Sequence, residues 1–138
     1  MIQASVPFIL FDDTCEQALA YYADVFNAEI VEKMTFKDMV YIEDDQRSRC
    51  IANATFKLVN QFFYAGDVVE RNDFQPITSN GRISFWLELE SYEEITTLES
   101  QLIKTGSTSL VGLHKTFWES HYAKLQDKFC VIWELNAQ

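Results

Sequence analysis

The chain has 138 residues, 48% hydrophobic and 14% aromatic, a size and composition that fit one domain with a packed core and exclude a disordered polymer. Its 11 basic and 21 acidic residues leave a net charge of −10, which opposes nucleic acid and anionic lipid, whose capture rests on Lys and Arg. No apolar run approaches the roughly 20 residues of a spanning helix. Met1-Ile2-Gln3-Ala4 lacks the basic-then-apolar pattern of a secretory leader, so the expected location is the cytoplasm.

Residues 6–11, Val-Pro-Phe-Ile-Leu-Phe, read as a buried strand stopped by Asp12-Asp13-Thr14. Thr14 and Gln17 have the spacing of a capping box. Ala18, Leu19, Tyr22, Val25 and Phe26 then form a helical stripe, and Asn27 is suited to a left-handed stop. Residues 28–36 alternate toward strand. Residues 37–48 are a polar excursion with a short strand expected at Met39-Val40-Tyr41. Residues 50–59 and 61–69 read as two strands joined by a turn at Val59-Asn60. Pro76 and the turn formers of residues 70–80 mark a linker.

The pattern then repeats. Residues 82–89 alternate as a strand, with Ile83, Phe85, Leu87 and Leu89 on one face. Ser91 and Glu94 form a second capping box, Ile95, Leu98, Leu102 and Ile103 a second stripe, and Gly106 a stop. Strands follow near 108–113, 120–125 and 131–136. Cys15, Cys50 and Cys130 are an odd, widely spaced set that reads as reduced small hydrophobes. The organisation is therefore α+β, with a module over 1–70, a linker over 71–80 and a second module over 81–138. Two such modules together would make a curved sheet with helices outside and a concave inner face, where ligands usually bind.

Two stretches carry a family resemblance. Val6-Pro7-Phe8-Ile9-Leu10-Phe11 runs on to Cys15-Glu16-Gln17-Ala18-Leu19-Ala20-Tyr21-Tyr22 and Val25-Phe26-Asn27-Ala28-Glu29-Ile30. Near the other end stand Thr116-Phe117-Trp118, Tyr122, Asp127-Lys128-Phe129, Val131 and Trp133-Glu134-Leu135-Asn136. Together these resemble the PhnB-like branch of the glyoxalase/bleomycin-resistance, or vicinal oxygen chelate, superfamily. The resemblance implies paired βαβββ modules and a homodimer. It does not fix a reaction, since the superfamily spans lyases, dioxygenases, epimerases, fosfomycin thiol transferases and drug-sequestering proteins. Methyltransferase names are common in the branch, yet no glycine-rich loop follows a strand here to hold S-adenosylmethionine, and no cofactor is expected.

In metal-dependent members the resemblance places one ligand at the start of each module's first strand and others on the last strands. Those positions fall here on Val6 and Arg82, and on Phe62, Phe63 and Tyr64. Glu134 alone survives as a donor, and the His that many PhnB-like chains carry is replaced by Asn53. A divalent ion needs three or four converging donors, so no metal is expected. His114 and His121 read as exposed or packed. Strand parity puts Arg82, Ser84, Trp86 and Glu88 on the concave side, and Asn53 and Thr55 on the face of Ile51. Arg82 and Glu134 would then meet, either as anion receiver and base or as a structural ion pair that replaced the metal. Trp86, Trp118 and Tyr122 read either as aromatic walls for an apolar or cationic small molecule or as ordinary core. Glu119 replaces the usual small residue after Trp118. Cys130 replaces the usual Gly, which implies a turn without a left-handed residue. Binding of a small molecule, sequestration of a drug, or a non-catalytic interaction role all remain open.

Overall fold

The computed structural model describes residues 1–39, 47–68 and 82–138. Apart from Met39, the strand expected at Met39-Val40-Tyr41 lies outside these residues, as does the linker over 71–80. The chain separates into two compact units, Met1–Ile77 and Thr78–Gln138. No helix among the described residues is long and apolar enough to cross a membrane.

Each unit has the same build. In the first, β1 (Phe8–Phe11), α1 (Cys15–Val25), β2 (Glu29–Thr35), β3 (Ile51–Leu58) and β4 (Gln61–Asp67) give a sheet of order β1-β4-β3-β2. In the second, β5 (Phe85–Leu89), α2 (Tyr92–Lys104), β6 (Thr108–Lys115), β7 (His121–Gln126) and β8 (Ile132–Ala137) give β5-β8-β7-β6. The first strand runs parallel to the last, and the other pairings are antiparallel. Each parallel pair needs a crossover, which the helix provides. The protein is thus α+β, two four-stranded mixed sheets with a helix each.

Apolar periodicity builds the cores. Cys15, Ala18, Leu19, Tyr22 and Val25 are the buried stripe of α1. Tyr22 packs its ring 5.9 Å from Phe56, which stacks on Phe63 at 4.8 Å. In the second unit Ile95 and Leu102 of α2 are buried, as are Ala123, Leu125, Trp133 and Leu135. Asp127 is buried under them. Its carboxylate accepts from the Trp133 indole at 2.8 Å and from the backbone of Phe129 and Val131 at 2.8 and 3.0 Å.

The stops behave as read. Asn27 sits at φ 57°, Val59 in the β3–β4 turn at 53°, and Gly106 at 117°. Ser91 Oγ accepts from the Glu94 amide at 3.1 Å, and Glu94 reaches back to the Glu90 amide at 2.9 Å, one residue ahead of the expected partner.

Four expectations give way. Thr14 makes no side-chain cap bond. Its φ and ψ of −117° and 10° leave the extended region a capping hydroxyl needs, and Asp67 at the end of β4 takes the Cys15 amide instead, at 3.0 Å. Ile51 does not share the face of Asn53. The register with β2 slips between them, so Ile51 is buried and Asn53 is exposed. Ile83 lies before β5, 69% exposed, and packs under no helix. Cys130 does enter the left-handed region, at φ 72°. The turn is held by the Cys130 amide on the Asp127 carbonyl at 2.9 Å and by the two amides on the Asp127 side chain, so it forms without glycine.

Candidate functional site

The face of the second sheet opposite α2 collects the polar and aromatic residues. Parity puts Trp86 and Glu88 of β5 there, with Phe85, Leu87 and Leu89 turned to the helix side. The register adds Glu134, opposite Trp86, and Asn136, opposite Glu88. From β7 come Lys124, opposite Glu134, and Tyr122, opposite Asn136, with His114 of β6 opposite Tyr122. Trp118 joins from the β6–β7 turn, where Thr116 and Ser120 bond each other across the loop.

Two hydrogen-bond systems order this face. In one, Glu134 accepts from Tyr122 Oη at 2.5 Å and from the Ser84 hydroxyl. Burial alone would raise the Glu134 carboxyl. The hydroxyls of Ser84 and Tyr122 and the charge of Lys124 outweigh it, and the group is lowered from its ordinary value. The Tyr122 phenol moves the other way, pushed up by its own burial and by the carboxylate it donates to. The proton therefore stays on Tyr122. In the second system Glu88 accepts from Trp86 Nε1 at 2.6 Å and from Asn136 Nδ2 at 3.0 Å, and Asn136 Oδ1 accepts from Trp118 Nε1 at 3.2 Å. The Tyr122 ring ties the systems together. Its centroid is 5.8 Å from those of Trp86 and Trp118 and 6.0 Å from His114. Both indoles remain partly open, at 48% and 42% exposure.

Of the sequence candidates, Glu134, Trp86, Trp118 and Tyr122 come together here. Arg82 does not join Glu134. It is exposed, ahead of β5, and the cation whose charge acts on that carboxylate is Lys124, the residue that the β7 register puts beside it. Glu119 is exposed in the turn at φ 65° and faces Lys115 at 3.6 Å. Asn53 belongs to the first unit. Sequence reasoning missed Asn136 as a site residue, although two-residue alternation from Glu134 would have found it. It also named Ser84 and Glu88 without giving them a role.

The corresponding face of the first sheet carries large apolar side chains beside Thr55 and Lys57 of β3, which the register sets opposite Tyr64 and Phe62. Phe8, Leu10, Phe62 and Tyr64 are 54%, 46%, 44% and 42% exposed there. Register and exposure match Phe8 and Tyr64 to Trp86 and Glu134, and Leu10 and Gly66 to Glu88 and Asn136. At Gly66 the backbones run close: a Cβ would lie 2.9 Å from the Ala52 carbonyl oxygen and 3.3 Å from the Phe8 ring.

A repeated β-α-β-β-β unit whose first strand lies parallel to its last, with a helix on one face and an open opposite face, defines the vicinal oxygen chelate class, and solved structures bear this out. A PhnB protein from Bacillus cereus superposes at a TM-score of 0.80, with 26% identity over 99% of this chain and 100% of that one. The fosfomycin resistance protein FosX from Listeria monocytogenes, 12% identical over 100% and 94%, shares the fold at 0.66. Within that class the chain belongs to the family described as 3-demethylubiquinone-9 3-methyltransferase, the PhnB-like branch, whose profile matches residues 3–136. Protein YjdN of Escherichia coli K12 is 28% identical over 143 aligned positions, covering 95% of this chain and 92% of YjdN.

The class includes metal-dependent members, but the donor set on the second unit's face does not fit a divalent ion. Glu134 already accepts from two hydroxyls, and its strand neighbours are an indole and an ammonium. Among the described residues no three His, Cys, Asp or Glu side chains gather to hold one.

Proposed function

We propose that the protein binds a small molecule, without a metal ion, on the open face of the second sheet. The observation that carries this is the placement of Tyr122 between Trp86 and Trp118, with two carboxylates and an amide holding the edges of all three rings. Indoles whose N–H groups are already satisfied keep their faces for apolar or cationic groups. The net charge of −10 favours a cationic ligand over an anionic one.

Binding alone, as in sequestration, fits this geometry better than proton transfer. A general base works best when its proton affinity lies near the working pH, and the hydroxyls of Ser84 and Tyr122 move Glu134 the other way, below its ordinary value. It serves as a fixed counter-charge that keeps Tyr122 in place. The protein acts as a homodimer in this reading, in keeping with the exposed Phe8, Leu10, Phe62 and Tyr64 of the first sheet, since monomers rarely leave such side chains clustered in water.

Two of the three tryptophans lie on the proposed surface, so intrinsic fluorescence reports on it. Titration with cationic aromatic compounds and cationic glycopeptides should change the emission saturably, and Trp86→Ala should remove about tenfold of the affinity, a cation–π and packing loss of 1–2 kcal/mol. A panel in which small anions bind and cations do not would overturn the assignment.

A further inference from the structure

We propose that the positive group of the ligand is received by Glu88, with Asn136 as its positioning residue, and not by the family-signature carboxylate Glu134. The inference rests on the binding role of this face and deepens it.

The two carboxylates differ in what already occupies them. Glu134 is half-buried, accepts from two hydroxyls, and has Lys124 directly opposite on β7. Its charge is largely answered from within the sheet. Glu88 is exposed, and its partners among the described residues are neutral donors, the Trp86 indole and the Asn136 amide. Neutral donors orient a carboxylate and leave its charge uncompensated.

Asn136 supplies the orientation. Trp118 Nε1 can only donate and Glu88 can only accept, so the amide between them must turn Oδ1 to the indole and Nδ2 to the carboxylate. No other side chain of that size offers one donor and one acceptor in this way. Leu would release both neighbours, and Asp would set a second negative charge against Glu88. Because Asn136 is only 3% exposed, the bridge is fixed before any ligand arrives. It aligns the Trp118 indole, the Trp86 indole and the Glu88 carboxylate as one receptor for a cation: ring faces for its apolar shell, a carboxylate for its charge. A soft, weakly hydrated cation such as a quaternary ammonium suits that combination.

The test compares choline with its neutral isostere 3,3-dimethylbutan-1-ol, each titrated against the intact protein by tryptophan fluorescence. The wild type should prefer choline by about tenfold. Glu88→Gln, at an exposed position, should bring that ratio close to one. Glu134→Gln should weaken both probes together by loosening Tyr122, and so keep the ratio. Asn136→Asp should lower the ratio and should also alter the near-ultraviolet circular dichroism of Trp118, measured against Trp118→Phe. Loss of the ratio in Glu134→Gln with its retention in Glu88→Gln would overturn the inference alone, as would a wild-type ratio near one. Failure of the wild type to take up either probe would remove the binding role and this assignment together.

Discussion

The two units share strand order and register but solve one problem differently. Each helix begins with amides that its own turns cannot satisfy. In the second unit the answer is local: Ser91 and Glu94, three residues apart, cap α2. In the first it is remote. Asp67, 52 residues along the chain, reaches from β4 to the Cys15 amide and also accepts from Ile51 at 2.8 Å, tying helix, β3 and β4 through one buried carboxylate. The matching position at the end of β8 is Ala137, which can accept nothing from its side chain. A fold needs its helix capped, and the sequence is free to choose where the cap comes from.

The sharpest way to break this comparison is to remove Asp67. Asp67→Ala strands two buried amides, and chemical denaturation should show a loss of about 3 kcal/mol. Equal tolerance of Asp67→Ala and Asp67→Asn would mean the carboxylate is not the tie described. Ser91→Ala comes next, at about 1 kcal/mol by the same measurement. Thr14→Ala should cost roughly 0.5 kcal/mol or less, because no cap bond is lost. A Thr14 effect as large as that of Ser91 would erase the distinction. Cys130→Gly should go the other way, raising stability by about 0.5–1 kcal/mol through relief of the left-handed cysteine. Its check is a higher melting temperature.

The smallest effect concerns pH. The Tyr122 phenol is raised, so its contribution is complete below its ordinary value of 10.0 and fades as pH climbs through the folded value. The Glu134 carboxyl is lowered, so its contribution is present above its ordinary 4.5 and is lost as pH falls through the folded value. The pair should therefore hold across the whole interval between. A phenolate absorbance titration should show Tyr122 ionising late, and Glu134→Gln should bring that late step forward.

What could be read from residues alone follows the range of the interactions. Strands, helices, the repeat, and the stops at Asn27 and Gly106 were legible because each depends on neighbours a few positions away. So was the Ser91–Glu94 cap. Thr14 looked as good a cap as Ser91 by spacing, and only the fold shows that Asp67 had displaced it. Cys130 is a poor signal on its own because glycine is not the sole route to a left-handed turn, and Asp127 holds this one from the side. The candidate site was half legible. Trp86, Trp118, Tyr122 and Glu134 follow from alternation and family likeness, but parity carried back to Arg82 gives Glu134 the wrong partner, because β5 begins only at Phe85 and the register sets Lys124 opposite Glu134. Asn136 passed unnoticed because a neutral amide announces nothing until its two neighbours are known.

The tight approach of Ala52 to Gly66 has a consequence for how the halves diverged. The residue that bridges carboxylate and indole in one half has, as its counterpart in the other, a position where a built Cβ lies 2.9 Å from a main-chain oxygen. Grafting Trp, Glu and Asn onto the first sheet would not make a second receptor, because β3 itself would have to move. If both halves descend from one ancestral module, their exchangeability ended in the backbone, and designs that seek a symmetric two-site protein from this scaffold should start from two copies of residues 82–138.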